Sequence, residues 1–183
     1  MRASLTAVTS PTSLTPDCDR CCGLCCVAPG FSASPDFAID KPAGRPCANL
    51  RTGFRCSIHD QLASAGFAGC VTYDCYGSGQ KVMQHTFGGQ DWRQTPAIEE
   101  AMFAVFMVMR RLQELLMFLT EALKLQLSPG LRAGLEHELE AIEQKTLGSA
   151  DVLLEVDFAA CKRAVDELLL RVGEEVRAEE ARR

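Results

Sequence analysis

The sequence contains 183 residues, of which 47% are hydrophobic, so the chain can bury a core and falls outside the collagen-like and fully disordered classes. Its longest apolar run, 101–109, is far shorter than the roughly 20 residues of a bilayer span, and we expect no membrane span. The 19 basic and 24 acidic residues give a net charge of -5, which argues against a dedicated nucleic-acid binder because phosphate contacts require Lys and Arg.

Residues 1–16 are rich in Ser, Thr and Pro and lack the apolar stretch of a secretory signal. They are predicted to form a disordered lead-in, because so few apolar side chains do not offset the entropy of ordering. Nine of the ten cysteines follow between Cys18 and Cys75, and the tenth is Cys161. We expect a cytoplasmic protein, and in a reducing compartment closely spaced cysteines are more often metal ligands or redox groups than structural disulfides.

The composition of the remaining chain changes near Trp92. Residues 17–92 carry the clustered cysteines and most of the glycines, and they show little periodicity of either the helical or the strand kind. One short helix is predicted over Ile58–Ala65, with Ser57 as its cap and Gly66 as its end. The rest of this part is predicted to consist of turns organised around something other than a hydrophobic core.

The second part, 95–183, is rich in Ala, Leu, Glu and Arg and is predicted to form three helices. The first two begin with a proline that follows Thr or Ser, which is a helix-start signal, and the third begins at an Asp. Their predicted ranges are 95–127, 128–148, and from Asp151 or Asp157 into a charged tail. The fold class is therefore predicted to be mainly α, with an irregular cysteine-rich module followed by an antiparallel helical bundle.

The first of these predicted helices is apolar nearly all round in its first half, where Met102, Phe103, Phe106 and Met109 fall on different faces. Such a helix must be enclosed by neighbouring elements or by a second subunit. We therefore expect a protein partner or self-association through the helical half. Cys161 falls on the apolar side of the last predicted helix, and we expect it to pack in the core.

The first cysteine block combines C-x2-C, C-x3-C and an adjacent pair. In a C-x2-C turn two sulfurs converge on one ion at about 2.3 Å, and the intervening amides donate to the sulfurs. The side chains of Cys25 and Cys26 are expected to diverge, so this pair more naturally serves two sites, or one ion and one packing position, than a single ion. With Cys22 left out, eight thiols remain, which is the number for two four-thiolate sites. These candidate metal ligands are Cys18, Cys21, Cys25, Cys26, Cys47, Cys56, Cys70 and Cys75.

The later cysteines lie in a distinctive local context. It reads Cys47-Ala-Asn-Leu50, then Phe54-Arg-Cys56-Ser-Ile58-His59, then Gly69-Cys70-x2-Tyr73-Asp-Cys75. Together with the first block, this pattern resembles the YkgJ-type cysteine-cluster family of zinc- or iron-chelating proteins. The stretch from Cys26 to Arg93 and the helical part after it are similar to the leader region that precedes pentapeptide repeats in some actinobacterial proteins, although this sequence contains no such repeats. The resemblance implies a bound metal ion or cluster in the module 17–92.

Zinc and a 4Fe–4S cluster both remain open as the bound group, because soft thiolates accept both. A C-x2-C-x3-C arrangement with a distant fourth thiol suits an iron–sulfur cluster, which the first block slightly favours, and eight thiols equally suit two zinc sites. Ligation is expected to contribute directly to folding of the module. The predicted role is structural, electron-transferring or partner-recognising. The alternative is an iron–sulfur-dependent enzyme, since some relatives with this cysteine pattern are linked to protein lysine methylation or to redox chemistry.

Alternatives also stay open for individual residues. Cys22 is either an additional ligand or a bystander. His59 follows Cys56 at C-x2-H spacing and is either a zinc ligand or, as we expect, a polar side chain in the first turn of the short helix. A disulfide or redox-relay framework is the alternative to metal ligation by the whole set.

Overall fold

The computed structural model describes residues 14–182, and over this range the chain is mainly helical, as predicted. No strand forms within the range, where extended segments meet only at three isolated bridges, Phe31–Lys41, Ser34–Phe37 and Leu50–Cys56. The disordered lead-in is predicted for 1–16, of which 1–13 lie outside the described residues. Among the helices between positions 14 and 182, none combines the length and the apolar character that a bilayer crossing requires.

The first part of the chain consists of short helical turns joined by irregular loops. Three 3-10 turns precede two short α-helices, α1 and α2, and α2 continues into a π-helical turn. The 3-10 turns are Cys18–Arg20, Leu24–Cys26 and His59–Gln61, α1 is Ala68–Thr72, α2 is Ser78–Lys81, and the π-helical turn is Val82–Thr86. The sequence does not indicate α1 or α2, because elements this short show no periodicity.

The prediction of a helix over Ile58–Ala65 is wrong. Only His59–Gln61 is helical, as a 3-10 turn that buries no side chain, and non-helical turns follow it as far as Gly66. The N-cap position belongs to Ile58, which makes no capping bond, and not to Ser57. Ile58, Leu62 and Ala65 would share one helical face but are only half-buried, so their burial does not offset the unfavourable free energy of helix nucleation.

The second part contains four α-helices after a 3-10 turn at Pro96–Ile98. They are α3 (Glu99–Ala122), α4 (Pro129–Lys145), α5 (Ala150–Leu154) and α6 (Phe158–Glu180). The first two correspond to predicted helices, although α3 ends before Leu127. Of the two candidate starts of the third predicted helix, Asp157 is the N-cap of α6, where its carboxylate accepts a hydrogen bond from the Ala160 N–H. Asp151 lies inside the separate short helix α5, whose N-cap is Ser149.

Helix α3 is the central element of the second part, since it contacts α4, α5 and α6, while α4 also contacts α6. Its side chains Met102, Phe106, Met109 and Leu112 are fully buried. The apolar first half of α3 is therefore mostly enclosed by neighbouring elements of the same chain, with Met107 left exposed. Cys161 of α6 is buried in the same apolar cluster, which confirms its predicted packing role.

One apolar cluster joins the two parts of the chain. Cys22 and Leu24 of the first part belong to it together with the buried face of α3. Trp92 lies between the parts: its ring centre is 5.5 Å from that of Phe103, and its Nε1 donates to the carbonyl oxygen of Cys22 at 2.9 Å. The expectation that the first part lacks a hydrophobic core is therefore wrong for the residues next to α3.

We expect Phe106→Ala to lower the free energy of unfolding by about 3–5 kcal/mol, because the lost burial and the new cavity add. Leu170→Ala, at a position of α6 that is 67% exposed, is the control and should change it by less than about 0.5 kcal/mol. Denaturant unfolding followed by circular dichroism measures both values. Equal effects of the two substitutions would contradict the placement of α3 at the centre of the core.

Candidate metal centre

All eight cysteines predicted as ligands line one cavity of about 860 Å³. The other two cysteines, Cys22 and Cys161, do not line it and are buried in the apolar cluster. The Cys22 thiol contacts the sulfur of Met102, with 3.6 Å between the sulfur atoms. The cysteines therefore divide into eight that share one volume and two that pack in the core, and Cys22 stands with the second set.

The loop after Cys75 directs backbone amides at the sulfur of that residue. Tyr76 and Gly77 have φ angles of 49° and 78°, in the left-handed region that a residue such as Tyr76 rarely adopts. Burial raises the pKa of the Cys75 thiol, and the N–H groups of Gly79 and Gly77, which donate to its sulfur, oppose this effect. Amide bonds of this kind stabilise the thiolate form that a metal requires.

Gly79 also determines where Cys21 can lie. A Cβ atom at Gly79 would be 2.3 Å from the Cys21 Sγ, so only glycine leaves room for that sulfur. Burial raises the pKa of Cys21 to about 12, against the opposing effect of amide bonds from Leu24 and Gly23. Gly79 thus contacts the Cys21 sulfur through its Cα, and its N–H donates a hydrogen bond to the Cys75 sulfur.

Arg110 of α3 attaches the Cys75 loop to the helical part. Its guanidinium lies 5.4 Å from the ring centre of Tyr73 and 5.5 Å from that of Tyr76. Its Nε donates to the carbonyl oxygen of Asp74 at 3.2 Å. The sequence gives no signal for these contacts, because they join residues that are far apart in the chain and share no motif.

The adjacent cysteines Cys25 and Cys26 do not diverge as expected, because their Sγ atoms are only 3.9 Å apart. Two sulfurs bound to one tetrahedral ion at about 2.3 Å stand about 3.8 Å from each other, whereas the sulfurs of a disulfide are about 2.05 Å apart. The observed separation is therefore that of neighbouring ligands and is too long for a disulfide. It is compatible with ligands of one ion and with ligands of two adjacent ions.

A first group of neighbouring sulfurs includes Cys18, Cys21, Cys25 and Cys75. Burial, followed by the charges of Cys25 and Cys75, raises the pKa of Cys18. The same two cysteines act on Cys21 and also raise its pKa. At the mouth of the cavity, Arg55 forms an ion pair with Asp19 at 2.9 Å and lowers the pKa of Cys18.

A second group surrounds Cys70 of α1. Burial, and then the charges of Cys47, Cys25 and Cys56, raises the pKa of Cys70. The Cys47 N–H donates to the carbonyl oxygen of Cys26 at 2.9 Å, which fixes these two residues beside each other. Cys56 is held by its bridge to Leu50.

Lys41 is a buried cation beside this second group, with only 4% of its surface exposed. Its Nζ donates to the carbonyl oxygens of Val27 at 2.9 Å, Arg45 at 3.0 Å and Pro42 at 3.3 Å. Burial lowers the pKa of Lys41, and four thiols oppose this effect: Cys47, Cys26, Cys25 and Cys70. Sequence reasoning missed Lys41, because a single lysine in an irregular loop gives no periodic or spacing signal.

His59 lines the cavity, but its side chain is 71% exposed and its Nδ1 lies 3.6 Å from a carboxylate oxygen of Asp60. This position corresponds to the expected polar side chain at a surface turn. In the part of the chain that the structure describes, no three His, Cys, Asp or Glu side chains are grouped in ligating geometry. The sulfurs share a volume without converging on a point, and their softness suits a thiophilic ion.

We expect Gly79→Ala to lower the free energy of unfolding by about 1–3 kcal/mol, because the added methyl group displaces the Cys21 sulfur from the wall of the cavity. Gly53→Ala is the control, since no atom lies within 4 Å of a Cβ built there. Denaturant unfolding and the rate of Cys21 alkylation, followed by peptide mass spectrometry, measure the effect. Similar behaviour of the two variants would contradict the close approach at Gly79.

Comparison with known proteins identifies a similar chain but no assigned function. No family model matches the sequence. The chain is 43% identical over 166 residues to an uncharacterized protein, YybG, of Bacillus subtilis (strain 168). The alignment covers 91% of this chain and 60% of YybG, so the chain spans about three-fifths of the length of that relative. No solved structure matches significantly.

Proposed function

We propose that this chain is a thiolate-dependent metal-binding protein of the YkgJ-type cysteine-cluster family. In this proposal, residues 17–92 form a metal-binding module that is docked on an antiparallel helical bundle, 95–183. The observation that carries the proposal is that the eight candidate ligands line one cavity, while Cys22 and Cys161 pack in the core. The proposed ligands are Cys18, Cys21, Cys25, Cys26, Cys47, Cys56, Cys70 and Cys75.

Metal ligation gives a physical reason for gathering so many thiols in one volume. Burial raises the pKa of Cys18, Cys70 and Cys75, so these thiols keep their protons near neutral pH when no metal competes. A bound ion or cluster replaces the protons and draws the thiolates together. A disulfide framework has less support, because all ten cysteines between positions 14 and 182 are free thiols.

Zinc ions and 4Fe–4S clusters both suit this donor set. Eight sulfurs provide two four-sulfur sites for either, and the amide donors at Cys21 and Cys75 stabilise thiolate charge in both cases. The role that we propose for the centre is structural or electron-transferring. The proposed location is the cytoplasm, where unpaired thiols remain reduced.

The helical half has features that suit recognition of a protein partner or of a second copy of the chain. Large apolar side chains remain exposed there, at Met107, Phe118, Leu125, Val152 and Leu154. Exposed apolar side chains are common when single, whereas neighbouring ones favour contact with another surface. Val152 and Leu154 lie together in the short helix α5, and this pair supports the partner-recognition part of the proposal.

The volume of the cavity favours a second candidate function, an iron–sulfur-dependent enzyme. About 860 Å³ falls in the range of small-molecule sites, about 300–1,000 Å³, and metal groups fill only part of it. A catalytic cluster requires an open coordination position. Cyanide added to the reduced protein alters the electron paramagnetic resonance spectrum of a cluster with an open iron, and leaves that of a fully thiolate-ligated cluster unchanged.

We expect the full chain, purified without oxygen, to contain metal. A brown protein with broad absorption near 400 nm identifies iron–sulfur, whereas a colourless protein with about two zinc ions per chain identifies closed structural sites. Absorption spectroscopy and elemental analysis by mass spectrometry measure both. Correctly folded protein that contains neither metal contradicts the proposed function.

We expect Cys21→Ser to lower the metal content and to disorder the first part of the chain, while far-ultraviolet helicity largely remains because the long helices lie in the second part. Cys161→Ser is the matched control, since this cysteine is buried away from the cavity. Metal analysis and circular dichroism measure the two effects. Complete loss of helicity in Cys21→Ser would contradict the division into two modules.

A further inference from the structure

The environment of Lys41 contains hydrogen-bond acceptors but no carboxylate partner. Three carbonyl oxygens take its three N–H donors, and the side chain is buried. None of the ion pairs found between residues 14 and 182 includes Lys41. A buried ammonium without a nearby anion is strongly destabilising, even when its hydrogen bonds are made.

The carbonyl groups that bind the Lys41 ammonium place it beside two candidate ligands, since Val27 follows Cys26 and Arg45 precedes Cys47 by two residues. The Phe31 ring centre lies 5.5 Å from Nζ. The charged groups that act on Lys41 are the sulfurs of Cys47, Cys26, Cys25 and Cys70. A protonated thiol carries no charge and does not compensate the ammonium, whereas a metal-bound thiolate does. The buried position of the Lys41 ammonium is therefore electrostatically favourable when the neighbouring sulfurs are metal-bound thiolates.

The sulfurs around the cavity separate into two sets of four. In the first, Cys21 and Cys75 both contact Gly79, and Cys18 and Cys25 are their electrostatic neighbours. In the second, backbone contacts place Cys47 beside Cys26, and Cys70 has Cys47 and Cys56 as neighbours. The two sets meet at Cys25 and Cys26, whose Sγ atoms are 3.9 Å apart, and Cys25 also acts on Cys70.

We propose that the cavity contains two adjacent four-sulfur metal sites, and that Lys41 supplies the counter-charge of the second. The first site consists of Cys18, Cys21, Cys25 and Cys75, and the second of Cys26, Cys47, Cys56 and Cys70. This inference rests on the proposed metal-binding function and adds a residue to it. A divalent ion with four thiolates carries two net negative charges, and the Lys41 ammonium neutralises one of them.

Among residues 14–182, the cations beside the first site are already paired with carboxylates. Arg110, which contacts the Cys75 loop, is mostly buried and paired with Glu114 at 2.8 Å. Arg55, the basic residue that acts on Cys18, is exposed and paired with Asp19 at 2.9 Å. Solvent screens such a charge far more than it screens a buried one. Loss of the Lys41 charge should therefore weaken metal binding at the second site and not at the first. If Lys41 only positioned its loop, the effect of a substitution would not depend on whether the new side chain keeps the charge.

The test compares zinc binding by the full chain and its variants under anaerobic conditions. Native mass spectrometry should count two zinc ions in the wild type and one each in Cys18→Ser and Cys56→Ser. In Lys41→Met, competition with a chelator should reveal one site weakened about tenfold or more and one site unchanged. Lys81→Met is the control, because Lys81 is a partly buried lysine that donates to Thr146 at 2.6 Å and has the Glu143 carboxylate as its charged neighbour.

Cobalt(II) bound in place of zinc reports the charge near the second site through its absorption spectrum. Removal of a nearby cation raises the energy of the sulfur electrons, so the sulfur-to-cobalt charge-transfer bands of Lys41→Met should shift to longer wavelength. Lys41→Arg keeps the charge and should keep both the bands and the affinity close to those of the wild type.

Three results overturn the inference while leaving metal binding intact. They are loss of both ions in Cys18→Ser or in Cys56→Ser, equal weakening of the second site in Lys41→Met and Lys41→Arg, and unchanged affinity in Lys41→Met. A folded wild-type chain that binds no zinc overturns the proposed function as well, so the two failures are distinguishable.

Discussion

The packing of Cys22 and Trp92 against α3 is the constraint on which the rest of the structure depends. The Trp92 N–H bond to the Cys22 carbonyl and the contact of the Cys22 thiol with Met102 place one residue of the first cysteine block inside the core. Cys21, the residue before it, then faces the cavity. Neighbouring residues of a short irregular segment thus point in two directions, one toward apolar side chains and one toward the thiols.

These contacts cross the boundary near Trp92 at which the composition of the chain changes. Composition separates a cysteine-rich part from a part rich in Ala, Leu, Glu and Arg, and the long helices α3, α4 and α6 lie in the second of these. Yet the apolar cluster includes residues from both parts, and Arg110 of α3 contacts the loop that carries Cys75. The cavity is therefore built on the helical part, and its walls depend on contacts that the helices supply.

The features that could be predicted from sequence are those with a local cause. Proline after Thr or Ser marks the starts near α3 and α4, and the Asp157 carboxylate caps α6. With Cys22 left out, the clustered cysteines are the eight residues that line the cavity, although spacing alone left the role of Cys22 open. In the 58–65 segment the capping pattern is present, but its apolar side chains Ile58, Leu62 and Ala65 are only half-buried, and a single 3-10 turn forms instead of the predicted helix.

The features that could not be predicted depend on contacts between distant segments. Lys41 gains its role from carbonyl groups and sulfurs that the fold brings around it, and nothing in its own neighbourhood in the sequence marks it. The same holds for Gly79, since a glycine between Ser78 and Gln80 reads only as part of a turn. The proximity of the Cys25 and Cys26 sulfurs depends on the backbone of the Leu24–Cys26 turn, which spacing alone does not determine.

Gly79 has a consequence for how this protein can vary during evolution. It contacts the Cys21 sulfur of the first cysteine block through its Cα and donates its N–H to the Cys75 sulfur of the last block. No side chain can be added at this contact without displacing the Cys21 sulfur. Homologous chains that diverge elsewhere in this region are therefore under pressure to retain a residue without a side chain here.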